Sequence, residues 1–258
     1  MNDLTSDYNR RGISFQDVDI HTICQYSRDQ DPVSDWAPRK AEIQRIVNLA
    51  KGINPQSKKP LIIDVGCGSG LVSYLLALTG EVEVVAFDPN EDVLLNPYFV
   101  HPNLAKIVGD SKEAVELCRD CSPATVINSY MPEGVDLTPH IRQMGAKSIV
   151  YIMGPVGSTG IERISYHPGQ QYINVYEWEG PSPFEVETVA DRIKDQSDSP
   201  IHTLGSSFCT SVMVQLRRGL ELPDISEGEI RDEDKYVWEQ PLESFFGSVG
   251  RIRELFYF

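Results

Sequence analysis

From Pro60 onward, short apolar runs alternate with helical stretches. The runs are Leu61–Val65, Val82–Phe87, Leu104–Val108, Ala124–Asn128 and Ser148–Met153. They recur about every twenty residues and are rich in Val and Ile, the composition of strands. Near-continuous apolarity means burial on both faces, as in parallel strands covered by helices. Between the runs, Leu71, Val72, Leu75, Leu76 and Leu78 line one helix, and Val93–Leu95 and Ala114–Leu117 suggest two shorter ones. This alternation implies a doubly wound α/β sheet with right-handed crossovers. Ligands in such sheets bind beyond the carboxyl ends of the strands.

Upstream, Ser34-Asp35-Trp36-Ala37-Pro38 has helix-start chemistry, and Ile43, Ile46, Val47 and Ala50 follow at i, i+3, i+4, i+7. An amphipathic helix is expected there, with Gly52 as its stop. Past Met153 the rhythm changes. Gly154–Gly169 reads as a long loop, a length usually reserved for function, and its position suggests an acceptor-side wall or lid. Tyr172–Trp178 and Phe208–Leu216 read as strands, and Pro181–Pro200 as a helix plus loop. Residues 221–239 are acidic, and Phe245, Phe246, Phe256, Tyr257 and Phe258 form an aromatic end. The expected division is one domain: an N-terminal extension and helix over 1–58, a core over 59–218, and an acidic, aromatic extension over 219–258.

At 258 residues the chain can bury a sizeable core without staples. No apolar run reaches the roughly 18 residues of a membrane span, and the first dozen residues carry no signal-peptide pattern. A cytoplasmic protein is expected. Its five cysteines are odd in number and read as free thiols. Cys118 and Cys121 form a single CxxC with no second pair, so no metal site is expected. The formal charge of −15 repels phosphate backbones and makes nucleic acid an unfavourable partner.

The most informative stretch is Asp64-Val65-Gly66-Cys67-Gly68-Ser69-Gly70, between a predicted strand and helix. Its glycines permit a sharp turn and close approach of a ligand to the backbone. Asp88 ends the next strand, where a carboxylate can accept hydrogen bonds from both hydroxyls of a ribose. Those features alone suit any adenosine cofactor. A dinucleotide loop, however, places glycines at relative positions 1, 3 and 6, and position 6 here is Leu71. Asp64 would also oppose an anionic pyrophosphate, whereas it favours a ligand carrying an ammonium and a sulfonium.

An acidic residue shortly before G-x-G-x-G resembles the first motif of the class I S-adenosylmethionine-dependent methyltransferases. The resemblance runs from about Ala37 to Met153 and more loosely to Leu216. It implies a mostly parallel seven-stranded sheet with helices on both faces and an antiparallel edge hairpin, here Tyr172–Trp178 with Phe208–Leu216. It implies S-adenosylmethionine as cofactor, held by Asp64, Gly66, Cys67, Gly68 and Gly70, by Asp88-Pro89, by Asp110 and Ser111 after the third strand, and by Asn128. It also implies methyl transfer near Asn128-Ser129-Tyr130-Met131-Pro132-Glu133-Gly134, with Asn128 and Tyr130 orienting the acceptor and Glu133 as base. Family members acting on planar amino groups often carry Asn/Asp-Pro-Pro-aromatic at this point. Here the Asn, Tyr and Pro fall in another order, which speaks against a nucleic-acid base and leaves a small molecule or a protein as acceptor. The alternatives are an NAD-type oxidoreductase and a catalytically inactive binding subunit. His21, His101, His140, His167 and His202 are scattered and offer no clear base.

Overall fold

A computed structural model describes residues 36–94, 99–154, 160, 166–180 and 210–244. In chain order the elements are α1 (Lys40–Ile53), β1 (Leu61–Val65), α2 (Leu71–Leu78), β2 (Glu83–Asp88), α3 (Glu91–Leu94), β3 (Leu104–Val108), α4 (Ser111–Cys118), β4 (Thr125–Ser129), α5 (Thr138–Gln143), β5 (Ser148–Met153), β6 (Tyr172–Gly180) and β7 (Thr210–Arg217). The strands form one seven-stranded sheet in the order β3-β2-β1-β4-β5-β7-β6. The first five are mutually parallel; β7 runs antiparallel to β5 and to β6. This is the mostly parallel α/β sheet with an antiparallel edge that the motif implied.

The central strands are buried on both faces because helices cover both. On one face Ile62, Ile127, Val150, Ile152, Val212 and Val214 pack with α1 and α2. On the other, Ile63, Val65, Val126, Ile149 and Tyr151 pack with Ala114 and Cys118 of α4 and Ile141 of α5. Parallel order reverses between β1 and β4, so the β1–α2 loop and the β4–α5 turn open side by side at the carboxyl edge.

Several expectations are corrected. The strand β3 is an edge strand, and its Ile107 and Val108 are exposed rather than covered. Helix α1 starts at Lys40, after Pro38, and Ser34 and Asp35 lie outside the described residues. Its first turn is closed by Glu42, whose Oε2 accepts the Arg39 N–H at 2.6 Å. Gly52 is not a stop. It lies within α1, and Pro223 occupies the space a side chain there would need. Strands β2 and β4 sit one residue later than expected, and the short helix α5 and the helical turn over 239–244 were not anticipated. The expected helix in Pro181–Pro200 and the terminal phenylalanines lie outside the described residues.

The acidic segment after β7 is integrated into the core. Ile225, Tyr236, Trp238 and Leu242 are buried with α1, and Tyr236 stacks on Trp238 at 4.4 Å. Glu239 accepts the Lys40 and Tyr236 N–H groups, and Arg45 forks onto Glu227. Among the described residues no helix is long and apolar enough to cross a membrane.

Candidate functional site

The glycine loop leaves β1 with Gly66, Gly68 and Gly70 all at positive φ, a region that costs other residues about 1–2 kcal/mol. Its N–H groups turn inward. Gly66 and Cys67 donate to Phe87 O at 2.8 and 3.1 Å, Gly68 to Asp88 Oδ2 at 2.8 Å, and Gly70 to Cys67 O at 3.0 Å. A side chain at Gly68 would meet nothing within 4 Å, so the outer face of the loop is open.

Asp64 lies beneath this loop with no exposure. Ser73 Oγ donates to its Oδ2 at 2.6 Å, and its Oδ1 has no partner. Burial lifts its pKa to about 7, against the Ser73 bond and with help from the negative charge of Asp88. Its carboxyl therefore does not line the open face of the loop. Asp88 ends β2 nearly buried; its Oδ1 accepts the Asn90 N–H at 2.9 Å. Each of its oxygens keeps a lone pair for a further donor. Pro89 beside it is exposed. Burial first, and then Asp64 and Asp88, push the Cys67 thiol well above the ordinary range.

At the end of β3, Asp110 caps α4, accepting the Lys112 and Glu113 N–H groups at 2.7 and 3.3 Å. Those bonds hold its carboxyl below its ordinary range, the Lys112 amide first. Ser111 is buried, and its hydroxyl meets His140 Nδ1 at 2.8 Å. This places His140 beside Ser111, one of the residues the motif resemblance assigned to the cofactor, a proximity the scattered histidines did not reveal. Lys106 is a second residue that sequence reasoning missed. Its Nζ donates to Leu94 O at 2.8 Å and lies 3.5 Å from Ser69 O, and its stem packs under Gly70. Its only signal was a charge inside an apolar run.

On β4, Asn128 is buried and donates to Val65 O at 2.7 Å; its Oδ1 has no partner. A side chain at Gly66 would come 3.6 Å from its Nδ2, so Asn128 and the glycine loop share one wall. Tyr130 differs from expectation. Its hydroxyl meets Thr210 Oγ1 at 2.5 Å on β7, and its ring packs with the α1/α2 side of the core. Its φ of 49° is left-handed, a strained conformation of the kind that gathers at functional sites. Glu133 is exposed in the turn. Gly160, from the long loop, is tied to this turn: its N–H donates to Met131 O at 2.9 Å and its carbonyl accepts from Gly134 at 3.0 Å. Thus Asp64, Gly66–Gly70, Asp88 and Asn128 converge, Asp110 and Ser111 stand at the neighbouring strand end, the Tyr130 hydroxyl turns to β7, and Glu133 is exposed in the turn.

No family model and no curated protein matches the chain. Among solved structures it is similar to magnesium protoporphyrin IX methyltransferase from Synechocystis with bound S-adenosylmethionine, at 14% identity over 84% of this chain and 92% of that one, with a TM-score of 0.45. A methyltransferase from Anabaena variabilis matches at 15% identity over 69% and 86%, with a TM-score of 0.43. Geranyl diphosphate methyltransferase in complex with S-adenosylmethionine matches at 12% identity over 68% and 85%, also with a TM-score of 0.43.

Proposed function

We propose that the chain binds S-adenosylmethionine over the glycine loop and transfers its methyl group to an acceptor beside Asn128 and the 130–134 turn. The observation that carries this reading is the sign and direction of the loop's polar groups. A pyrophosphate needs outward N–H donors, yet Gly66, Cys67, Gly68 and Gly70 spend theirs inside the protein. Two carboxylates flank the open face, Asp88 beside it and Asp64 beneath it, against the single ammonium of Lys106 under Gly70. Such a site suits a cationic nucleoside without phosphate, and the same observation disfavours the NAD-type alternative.

The residues present fit that cofactor. The space over Gly68 is open, Asp88 has lone pairs for two ribose hydroxyls, and Asn128 Oδ1 is an unsatisfied acceptor on the same wall. Asp110 and Ser111 would flank the base, with Gly66, Cys67 and Gly70 forming the floor. When bound, S-adenosylmethionine supplies a methyl group on a sulfonium leaving group. The chain's own task is alignment: Asn128 and the turn that Gly160 braces hold the acceptor in line, and alignment can lower such a barrier by roughly 7–11 kcal/mol. Asn128 is the favoured positioning residue, since Tyr130 is committed to Thr210 and Glu133 faces solvent. The charge of −15 favours a small molecule or a protein as acceptor over nucleic acid.

Calorimetry with S-adenosylmethionine, S-adenosylhomocysteine and NAD tests the reading. The first two are expected to bind and NAD is not. Micromolar NAD binding with no response to the others would sink it. Binding without turnover against any acceptor pool would favour the inactive subunit.

A further inference from the structure

On the sheet face that carries α4 and α5, Arg142 Nε and Nη2, the Tyr151 hydroxyl and Gln215 Oε1 are buried polar atoms without partners, as is Asn128 Oδ1. Tyr151 and Gln215 have no exposure. Tyr151 of β5 stands opposite Asn128 of β4, which stands opposite Val65 at the start of the glycine loop. It is therefore two strand spacings, about 10 Å, from that loop. Gln215 lies on β7 opposite Ile149, on the same face as Tyr151.

Arg142 belongs to α5, next to Ile141 in the layer over this face. Burial raises the Tyr151 and Tyr172 phenols, and the Arg142 charge opposes the rise at both, with Arg217 at Tyr172. The guanidinium is thus within electrostatic reach of both rings. The neighbouring polar groups are otherwise spent. Tyr172 donates to Ala146 O at 2.8 Å, Gln215 Nε2 donates to Asn174 Oδ1 at 3.0 Å, and the Tyr166 ring packs edge-on against Tyr151 at 5.0 Å. Asp136 is the acid whose charge reaches Tyr151, but its Oδ1 is held by the Thr138 N–H and hydroxyl. Among the described residues Arg142 forms no ion pair with it.

Arg142 as a whole is partly exposed, but the Nε–Nη2 edge of its guanidinium is shut off from solvent with no protein partner, a cost that a bound anion can remove. The pattern of idle atoms says which anion. Nε and Nη2 are the parallel donors along one edge of the guanidinium, the edge that matches the two oxygens of a carboxylate. Arg45 in this same chain lays that edge on Glu227, at 2.5 and 2.8 Å. We propose that Arg142, assisted by the Tyr151 hydroxyl, is the subsite that reads a carboxylate carried by the methyl acceptor. The purpose of the subsite rests on the methyl-transfer reading; its capture of a carboxylate does not.

The test compares melting of the full-length wild type, Arg142→Met and Arg142→Lys. The ligands are sodium benzoate, its neutral analogue benzamide, inorganic phosphate and S-adenosylhomocysteine, each at constant ionic strength. Benzoate at about ten times its dissociation constant is expected to raise the wild-type melting temperature by about 3–5 °C. Benzamide should not, and phosphate should do so less. Arg142→Met should lose the benzoate shift, keep the S-adenosylhomocysteine shift, and melt at or above the wild type without ligand. Arg142→Lys, which keeps charge but not the fork, should lose the preference for benzoate over phosphate. An equal benzoate shift in wild type and Arg142→Met, no benzoate shift in the wild type, or a destabilised Arg142→Met would overturn the proposal. A missing S-adenosylhomocysteine shift in all three proteins would instead remove the methyl-transfer reading and leave the benzoate result to stand or fall by itself.

Discussion

Replacing Asp64 with Asn removes a charge from beneath the glycine loop while keeping its shape. The wild-type carboxyl has a pKa lifted from 3.8 to about 7, first by burial. That difference, at about 1.36 kcal/mol per unit, means the ionised form costs the fold about 4 kcal/mol. Because the folded pKa lies above the unfolded one, this stability is present at low pH and is lost as pH rises toward 7. About 2–3 kcal/mol of it disappears between pH 5 and pH 7. The variant has no such loss. Relative to wild type its melting temperature should therefore climb by roughly 5–10 °C between pH 5 and pH 8, and then stay level. Thermal melts of both proteins across that range read the effect. Calorimetry supplies the second readout. Wild-type affinity for S-adenosylmethionine should tighten with rising pH, by up to about tenfold per unit below 7, as the cation pulls the proton from Asp64. In Asp64→Asn affinity should be weaker and flat. A melting difference that ignores pH, or an Asn variant that binds as wild type does at pH 8, would refute the view that a buried negative charge favours the ligand.

Asp88→Ala should weaken S-adenosylmethionine binding by about 2–4 kcal/mol while the protein stays folded, since it removes the acceptor for two ligand hydroxyls. Calorimetry with an unchanged affinity would move the ribose contact elsewhere. Glu239→Gln should destabilise by about 1 kcal/mol at pH 5.5, where one of two accepted amide bonds is lost, and by less at pH 8.5. The reason is that burial has raised Glu239 to about 7, so its ionised form is itself unfavourable at high pH. Urea titrations at the two pH values would show it, and an effect that grows with pH would reverse the sign.

Strand existence was legible because Val- and Ile-rich runs have few other uses in a chain of this composition. Strand rank was not. Leu104–Val108 is as apolar as a central strand, and only the crossover order puts it at the edge. Helix α1 was readable from its stripe but not from its ends: its N–H groups are capped by Glu42 from within and by Glu239 from 199 residues away. Gly52 looked like punctuation and proved to be a seat for Pro223, a packing fact with no local trace. The glycine motif located the loop and Asp88 because both sit at strand ends. The residues that escaped, His140, Lys106 and Arg142, are defined by what they meet or fail to meet across the fold. Asp64 stands near the end of β1, where the motif puts it, but no local signal says that its carboxyl lies buried beneath the loop.

The ties between α1 and the segment after β7 also order events in time. The Lys40 N–H, the Arg45 fork and Asn48 all find their partners at Glu239, Glu227 and Ser226. A ribosome adding about 5–20 residues per second emits those partners some ten to forty seconds after the helix itself. Through that interval α1 can pack on the sheet and on α2, but its Lys40, Arg45 and Asn48 side lacks these partners. Helix α1 thus keeps one open side until residues 226–239 have left the ribosome, and chaperones and proteases can meet that seam before it closes.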